Sequence, residues 1–277
     1  MSLAFELLRS GLLRSEWMSG NGDSTPIAHD PNLQEQVIPV PTAFDPGLVA
    51  FSDGHEAVVE RFRVLSTRIY HLRTKSHRPV RKVLLTSAVP GDGKTFVALN
   101  LAVSLSAGNQ QVLLLEGDLR YPGLSRLFGV NGFEGLSDIV QRDVRSSLGN
   151  TVSKYLYRLG SQSLWLMPSG TIAKRPLDLL QSRRMEQLMT LLSASFDWVV
   201  VDSPPLLPFA DVDAWARLCD GALMVVRRGN TPKPDLQRAL TDFDGCPLLG
   251  VVFNDCKESR PTYYEYYQRA SSLNALP

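Results

Sequence analysis

The stretch around residues 82–105 limits what this chain can fold into more than any other. Residues 86–95 read Thr-Ser-Ala-Val-Pro-Gly-Asp-Gly-Lys-Thr, preceded by the apolar Val83-Leu84-Leu85 and followed by a helix-like run from Phe96 to Leu105. A strand that feeds a glycine-rich turn, then Lys-Thr, then an apolar helix is the context a phosphate-binding P-loop needs. Glycines let backbone N–H groups turn inward around phosphate oxygens, and the helix N-terminus adds partial positive charge. Lys94 is expected to reach the β- and γ-phosphates of ATP, and the Thr95 hydroxyl to ligate Mg²⁺. Pro90, Gly91, Asp92, Gly93 and Phe96 complete the expected nucleotide-binding loop. Ala88 stands where the strict pattern has its first glycine, a small residue that still permits a tight turn.

A chain of 277 residues can bury a full core around such a loop. It is 44% hydrophobic and 21% charged, with a net charge of +1, so no electrostatic footprint for a nucleic-acid partner is visible. The cysteines, Cys219, Cys246 and Cys256, have no paired spacing and suggest neither a disulfide framework nor a zinc site. No stretch approaches the roughly 20 apolar residues of a membrane span. The N-terminal residues lack the layout of a signal peptide, which predicts a cytoplasmic protein.

Leu3, Phe5, Leu7, Leu8 and Leu12 suggest a short amphipathic helix within residues 1–20, and the Gly-, Ser- and Pro-rich residues 19–53 read as a mobile linker. Val58, Phe62, Leu65, Ile69 and Leu72 mark one face of a helix. Strands are then expected at 82–88, 111–116, 163–167, 198–202, 222–227 and 248–254, and helices at 95–107, 176–193, 211–218 and 233–243. Near-continuous Val/Leu runs indicate strands buried on both faces, as in a parallel sheet. The alternation predicts a three-layer α/β/α fold with a mostly parallel central sheet. It divides into a head and linker (1–53), a P-loop domain (54–257) and a tyrosine-rich tail (258–277).

In such folds ligands sit beyond the carboxyl ends of the strands, so the acids there matter. One strand ends Leu113-Leu-Leu-Glu116-Gly-Asp118-Leu-Arg120, another Val199-Val-Val-Asp202-Ser-Pro-Pro205. A strand-end carboxylate opposite a P-loop suits Mg²⁺, which prefers oxygen ligands and keeps several waters. Asp202 and Asp118 are the expected metal-organising acids, with Thr95. Glu116 (or Asp118) is the expected proton acceptor for an incoming hydroxyl. Phosphoryl transfer is mostly positioning and charge neutralisation, so this sparse kit suffices. Arg120 is a candidate phosphate or subunit contact, and Asn254 a candidate adenine donor.

Together, Ala-x-Pro-Gly-Asp-Gly-Lys-Thr at 88–95, Glu-Gly-Asp-Leu-Arg at 116–120 and Asp-Ser-Pro-Pro at 202–205 resemble the Walker A, A′ and B motifs of bacterial tyrosine kinases, a P-loop NTPase family of capsule and exopolysaccharide export. The resemblance spans residues 55–270. Glu60-Arg-Phe-Arg63 resembles the start of that family's oligomerisation helix, with Ser66 in place of its second arginine. Pro176-Leu-Asp-Leu-Leu180 resembles the opening of a later helix. Tyr263, Tyr264, Tyr266 and Tyr267 hold four of the chain's eight tyrosines and resemble the tail cluster that one subunit presents to its neighbour for phosphorylation. Glu116 departs from the family's usual aspartate. The resemblance implies an ATP- and Mg²⁺-dependent tyrosine autokinase that assembles with itself. It also implies recruitment to the inner face of the membrane by a membrane-embedded polysaccharide co-polymerase, whose activating segment this chain lacks. A Min- or Par-like ATPase switch is the competing expectation, disfavoured by Val89 and Pro90 where such switches carry a lysine and a glycine, and an ATP-binding scaffold is a third.

Overall fold

The computed structural model describes residues 4–6, 36–38, 56–74, 76–108, 110–142, 151–160 and 163–255. Their strands are β1 (Ala4–Glu6), β2 (Gln36–Ile38), β3 (Lys82–Ser87), β4 (Val112–Glu116), β5 (Tyr157–Leu159), β6 (Leu164–Met167), β7 (Trp198–Asp202), β8 (Gly221–Arg227) and β9 (Leu248–Asn254). The helices are α1 (Glu56–Tyr70), α2 (Lys94–Ser106), α3 (Gly123–Leu127), α4 (Leu136–Gln141), α5 (Pro176–Leu180), α6 (Arg183–Ser195), α7 (Asp211–Leu218) and α8 (Lys233–Asp242). The strands form one sheet in the order β1-β9-β8-β3-β7-β4-β6-β5-β2. The six from β9 to β6 in that order run parallel, and β1 and β5 pair antiparallel with β9 and β6.

Alternate residues of each central strand point to opposite faces, and both faces are covered. Leu113, Leu115, Val199 and Val201 pack with Ile139 of α4, Leu188 and Leu192 of α6 and Trp215 of α7. Val112, Leu114, Val200 and Leu223 pack instead with Phe62, Leu65 and Ile69 of α1 and Val97, Leu101 and Leu105 of α2. This is the expected three-layer α/β/α architecture, and each of the six expected core strands forms.

Several local expectations need correction. Residues 4–6 form a strand on β9, where a helix was expected, because the exposed N–H and C=O groups of an edge strand pair readily with a passing segment. Residues 36–38 add to β5 within the stretch read as linker, with Ile38 buried. The helix expected at 176–193 is two helices: Ser182 breaks it by capping α6, its Oγ accepting from Met185 N at 3.2 Å. Ser66 does not share the solvent face of Glu60 and Arg63, which pair with each other at 3.2 Å. It is buried against α2, 2.9 Å from Ser104 Oγ. Among the described residues no helix is long and apolar enough to cross a membrane.

Candidate functional site

The site lies where three neighbouring parallel strands end. β7 is the middle one, with Asp202 in register with Leu85 of β3 on one side and with Glu116 of β4 on the other. The loop from β3 to α2 therefore emerges beside both acidic strand ends. Within it Gly91 and Gly93 adopt φ of 85° and 88°, a left-handed conformation that side chains resist. Gly93 is needed twice over, since a Cβ there would stand 2.1 Å from Asn254 Nδ2. Gly93 is also the N-cap of α2 and caps with no side chain, which leaves the first amides of that helix for an anion.

Lys94 opens α2 and is close enough to both Asp118 and Asp202 to hold down their carboxyl pKa values. The Thr95 hydroxyl hydrogen-bonds Asp202. Asp202 is buried, which pushes its carboxyl up to about 7. Lys94 and Thr95 counter that rise, and Glu116 and Asp118 add to it. Its Oδ1 is buried without a hydrogen-bond partner. Asp118 is also raised, chiefly by burial. Its Oδ1 accepts from the Tyr121 and Arg120 amides at 2.9 and 3.2 Å, which together with Lys94 pull the other way.

Glu116 sits differently. It is fully buried, with Oε1 accepting from Ser125 N at 3.0 Å and Oε2 from Ser169 N at 3.0 Å and from the Ser125 hydroxyl. It thus ties β4 to α3 and to the loop after β6. The Gly117 that separates the two A′ acids has no room for a side chain. A Cβ would come within 2.9 Å of both Trp215 and Val201.

The other expected ligands are brought near but occupied. Arg120 forks onto Asp211 at 2.7 and 3.1 Å and lies over the Phe209 ring at 4.9 Å. Asn254 is buried with its Nδ2 on the Asp92 carbonyl at 3.0 Å and its Oδ1 on the Asp255 amide. Phe96 turns toward α1, its ring 5.9 Å from that of Phe62. Pro90 is exposed at the loop's edge. Tyr263, Tyr264, Tyr266 and Tyr267 lie outside the described residues.

Sequence reasoning missed Asp211, Ser125, Asn230 and Thr231. The last two donate to the buried Asp92 Oδ1, each at 2.7 Å. An acid inside a phosphate loop was the available signal, since a buried carboxylate needs donors from somewhere. Two residues far along the chain supply them.

No family model matches the chain. Tyrosine-protein kinase YwqD of Bacillus subtilis (strain 168) is 31% identical over 222 residues, which span 79% of this chain and 90% of that protein. Tyrosine-protein kinase wzc of Salmonella typhimurium (strain LT2) is 29% identical over 223 residues, 79% of this chain but only 30% of that longer protein. Among solved structures, the kinase domain of Escherichia coli tyrosine kinase ETK superposes with a TM-score of 0.63 at 27% identity, covering 80% of this chain and 85% of that one.

Proposed function

The chain belongs to the bacterial tyrosine-protein kinases, and from that premise we propose an ATP-dependent autokinase that phosphorylates the tyrosine cluster of a neighbouring copy. The observation that carries the site assignment is the meeting of Lys94 and Thr95 with two raised-pKa acids, one of which keeps a buried oxygen unpartnered. The backbone amides at 91–95 and Lys94 would bind the phosphates. Thr95 and Asp202 fit Mg²⁺, because a hydroxyl and an orphaned buried carboxylate oxygen are hard oxygen donors, and Asp118 lies close by. When bound, that ion would neutralise charge on the phosphate oxygens.

The tyrosine hydroxyl would give its proton to Asp118. Its oxygen would form the new bond to the γ-phosphorus as the bond to the β-phosphate oxygen breaks and ADP leaves. Asp118 suits the role because burial raises its proton affinity, and both its amide hydrogen bonds fall on Oδ1. Glu116, with both oxygens engaged, would brace the loop that carries Asp118. Asn254 and Arg120 act as holders of the site's loops in this reading.

Each phosphotyrosine brings about −1.5 to −2 charges at neutral pH, so a phosphorylated tail would repel its neighbours and loosen the assembly. The exposed Glu60 and Arg63 face of α1 would take part in that assembly. A membrane-embedded co-polymerase chain would supply the activating segment and bring the protein to the inner membrane face. Capsule or exopolysaccharide export would be the regulated process.

The test is incubation of the full chain with Mg²⁺-ATP, mass spectrometry of the 257–277 peptide, and a Lys94→Met control. Phosphate on Tyr263–Tyr267 that vanishes in the control is the expected result. ATP hydrolysis with an unmodified tail, even with the activating segment added, would replace the kinase reading with an ATPase switch.

A further inference from the structure

Three successive carbonyls of the phosphate loop are each held by a side chain from elsewhere in the fold. Pro90 O accepts from Asn230 Nδ2 at 3.0 Å, Gly91 O from Arg227 Nη1 at 3.3 Å and Asp92 O from Asn254 Nδ2 at 3.0 Å. In a trans peptide the C=O and the following N–H point in opposite directions. Holding carbonyls 90, 91 and 92 outward therefore turns the N–H groups of Gly91, Asp92 and Gly93 to the other side, into the concave face of the turn. Among the described residues, no backbone hydrogen bond starts from these three N–H groups.

We propose that Asn230, with Arg227 and Asn254, is a positioning residue that pre-orients the loop's amides toward a polyphosphate before the nucleotide arrives. This rests on the nucleotide-site reading above and extends it to residues outside the three Walker motifs. Asn230 is the centre of the device. Its Nδ2 also donates to Asp92 Oδ1 at 2.7 Å, where Thr231 Oγ1 donates as well, so one buried carboxylate locks the turn after β8 to the loop after β3. Arg227 and Asn254 come from the ends of β8 and β9. Both are also tied to Asp255, Arg227 Nε and Nη2 donating to its Oδ2 at 3.2 and 2.9 Å and Asn254 Oδ1 accepting from its amide at 2.9 Å. An ordered loop binds an anion without the cost of ordering it at the moment of binding.

The experiment is calorimetric titration of Mg²⁺-ADP, and separately of inorganic pyrophosphate, into the wild-type chain, Asn230→Ala and Asn230→Asp, with the melting temperature of each. Asn230→Ala should weaken both ligands about tenfold, the worth of one charge-assisted hydrogen bond. Equal losses are expected because the amides read phosphate, not base. Asn230→Asp keeps the shape, loses the donor and sets a second carboxylate against Asp92, so it should bind more weakly than Asn230→Ala. Both variants take a donor from the buried Asp92 carboxylate, so both should melt a few degrees below wild type, and the titrations are run well below that transition, where each variant is folded. Unchanged binding in Asn230→Ala would overturn the proposal. So would a loss confined to ADP, or Asn230→Asp binding no more weakly than Asn230→Ala. A wild-type chain that binds neither ligand would instead remove the nucleotide reading itself, and the inference with it.

Discussion

The strands β4 and β7 end side by side, each in a carboxylic acid, and the two acids are paired in register. Glu116 is saturated: two amides and a hydroxyl meet its oxygens. Asp202 keeps one buried oxygen without a partner, and its carboxyl rises to about 7. Both lie at strand ends over the same phosphate loop, and both are buried. The difference lies in what the next loop brings back. After β4 the chain returns α3, whose Ser125 amide and hydroxyl close over Glu116, and β6 returns Ser169. After β7 it runs through Ser203, whose hydroxyl turns away to the Leu85 carbonyl at 2.9 Å. Glu116, with its donors supplied, is a strut; Asp202 keeps an oxygen open, which in the proposed function would face a cation.

The largest effect that would sharpen this contrast is on Asp202. Asp202→Asn should lower tail phosphorylation by about a hundredfold or more, the scale of losing a preorganised charged group at a phosphoryl-transfer site. The same variant also has a pH signature without metal. A carboxyl raised in the folded state contributes stability that is full below the unfolded value, about 4, and is lost as pH rises through the folded value of about 7. Thermal scans should therefore show Asp202→Asn equal to wild type near pH 4, in the unfolded range, and melting above it by pH 8. A difference that does not grow with pH would mean Asp202 is not desolvated.

The next effect is on Glu116. Asp202→Asn should leave the fold intact, whereas Glu116→Ala strands the Ser125 and Ser169 amides and should cost about 2–4 kcal/mol in urea unfolding. Glu116→Gln keeps one acceptor oxygen and sets its NH2 against the other backbone amide, so it should lose part of that stability while phosphorylation by the folded protein stays within about tenfold of wild type. A fall of about 10²–10⁴, the usual loss of a general base, would break the strut interpretation.

Smaller still is the spacing between the two strand ends. Gly117→Ala forces a methyl against Trp215, Val201 and the Asp202 carbonyl, and should destabilise by about 1–3 kcal/mol, read by chemical denaturation. Trp215→Phe removes the 3.0 Å hydrogen bond from Nε1 to the Gly117 carbonyl and should cost about 1 kcal/mol by the same measurement. If Gly117→Ala were neutral, β4 and β7 would not need their close approach.

Much of this was legible before the structure. Each core strand announced itself as an apolar run of β-branched and leucine residues, and period-two burial on both faces follows from that composition. Short pieces were not legible. α3 has five residues between Pro122 and Phe128, too few for a helical period to show. β1 and β2 have three residues each and exist only because β9 and β5 offer edges to pair with. Ser66 stands where the resemblance has a second arginine, and the phase of α1, set by Phe62, Leu65 and Ile69, turns it inward.

By itself the sequence determined that a strand, a glycine-rich turn, Lys94-Thr95 and an apolar helix would make a phosphate loop, and that Glu116, Asp118 and Asp202 would stand at strand ends. These are local consequences of backbone freedom, periodicity and chain direction. Only the tertiary structure decided which acid is engaged and which is left open. It alone decided that Arg120 is held by Asp211, and that Asn230 and Asn254 hold the loop from the far side of the chain. Hydrogen-bond supply at a buried group depends on what folds against it, and the residues that supplied it are separated from the loop by more than a hundred positions.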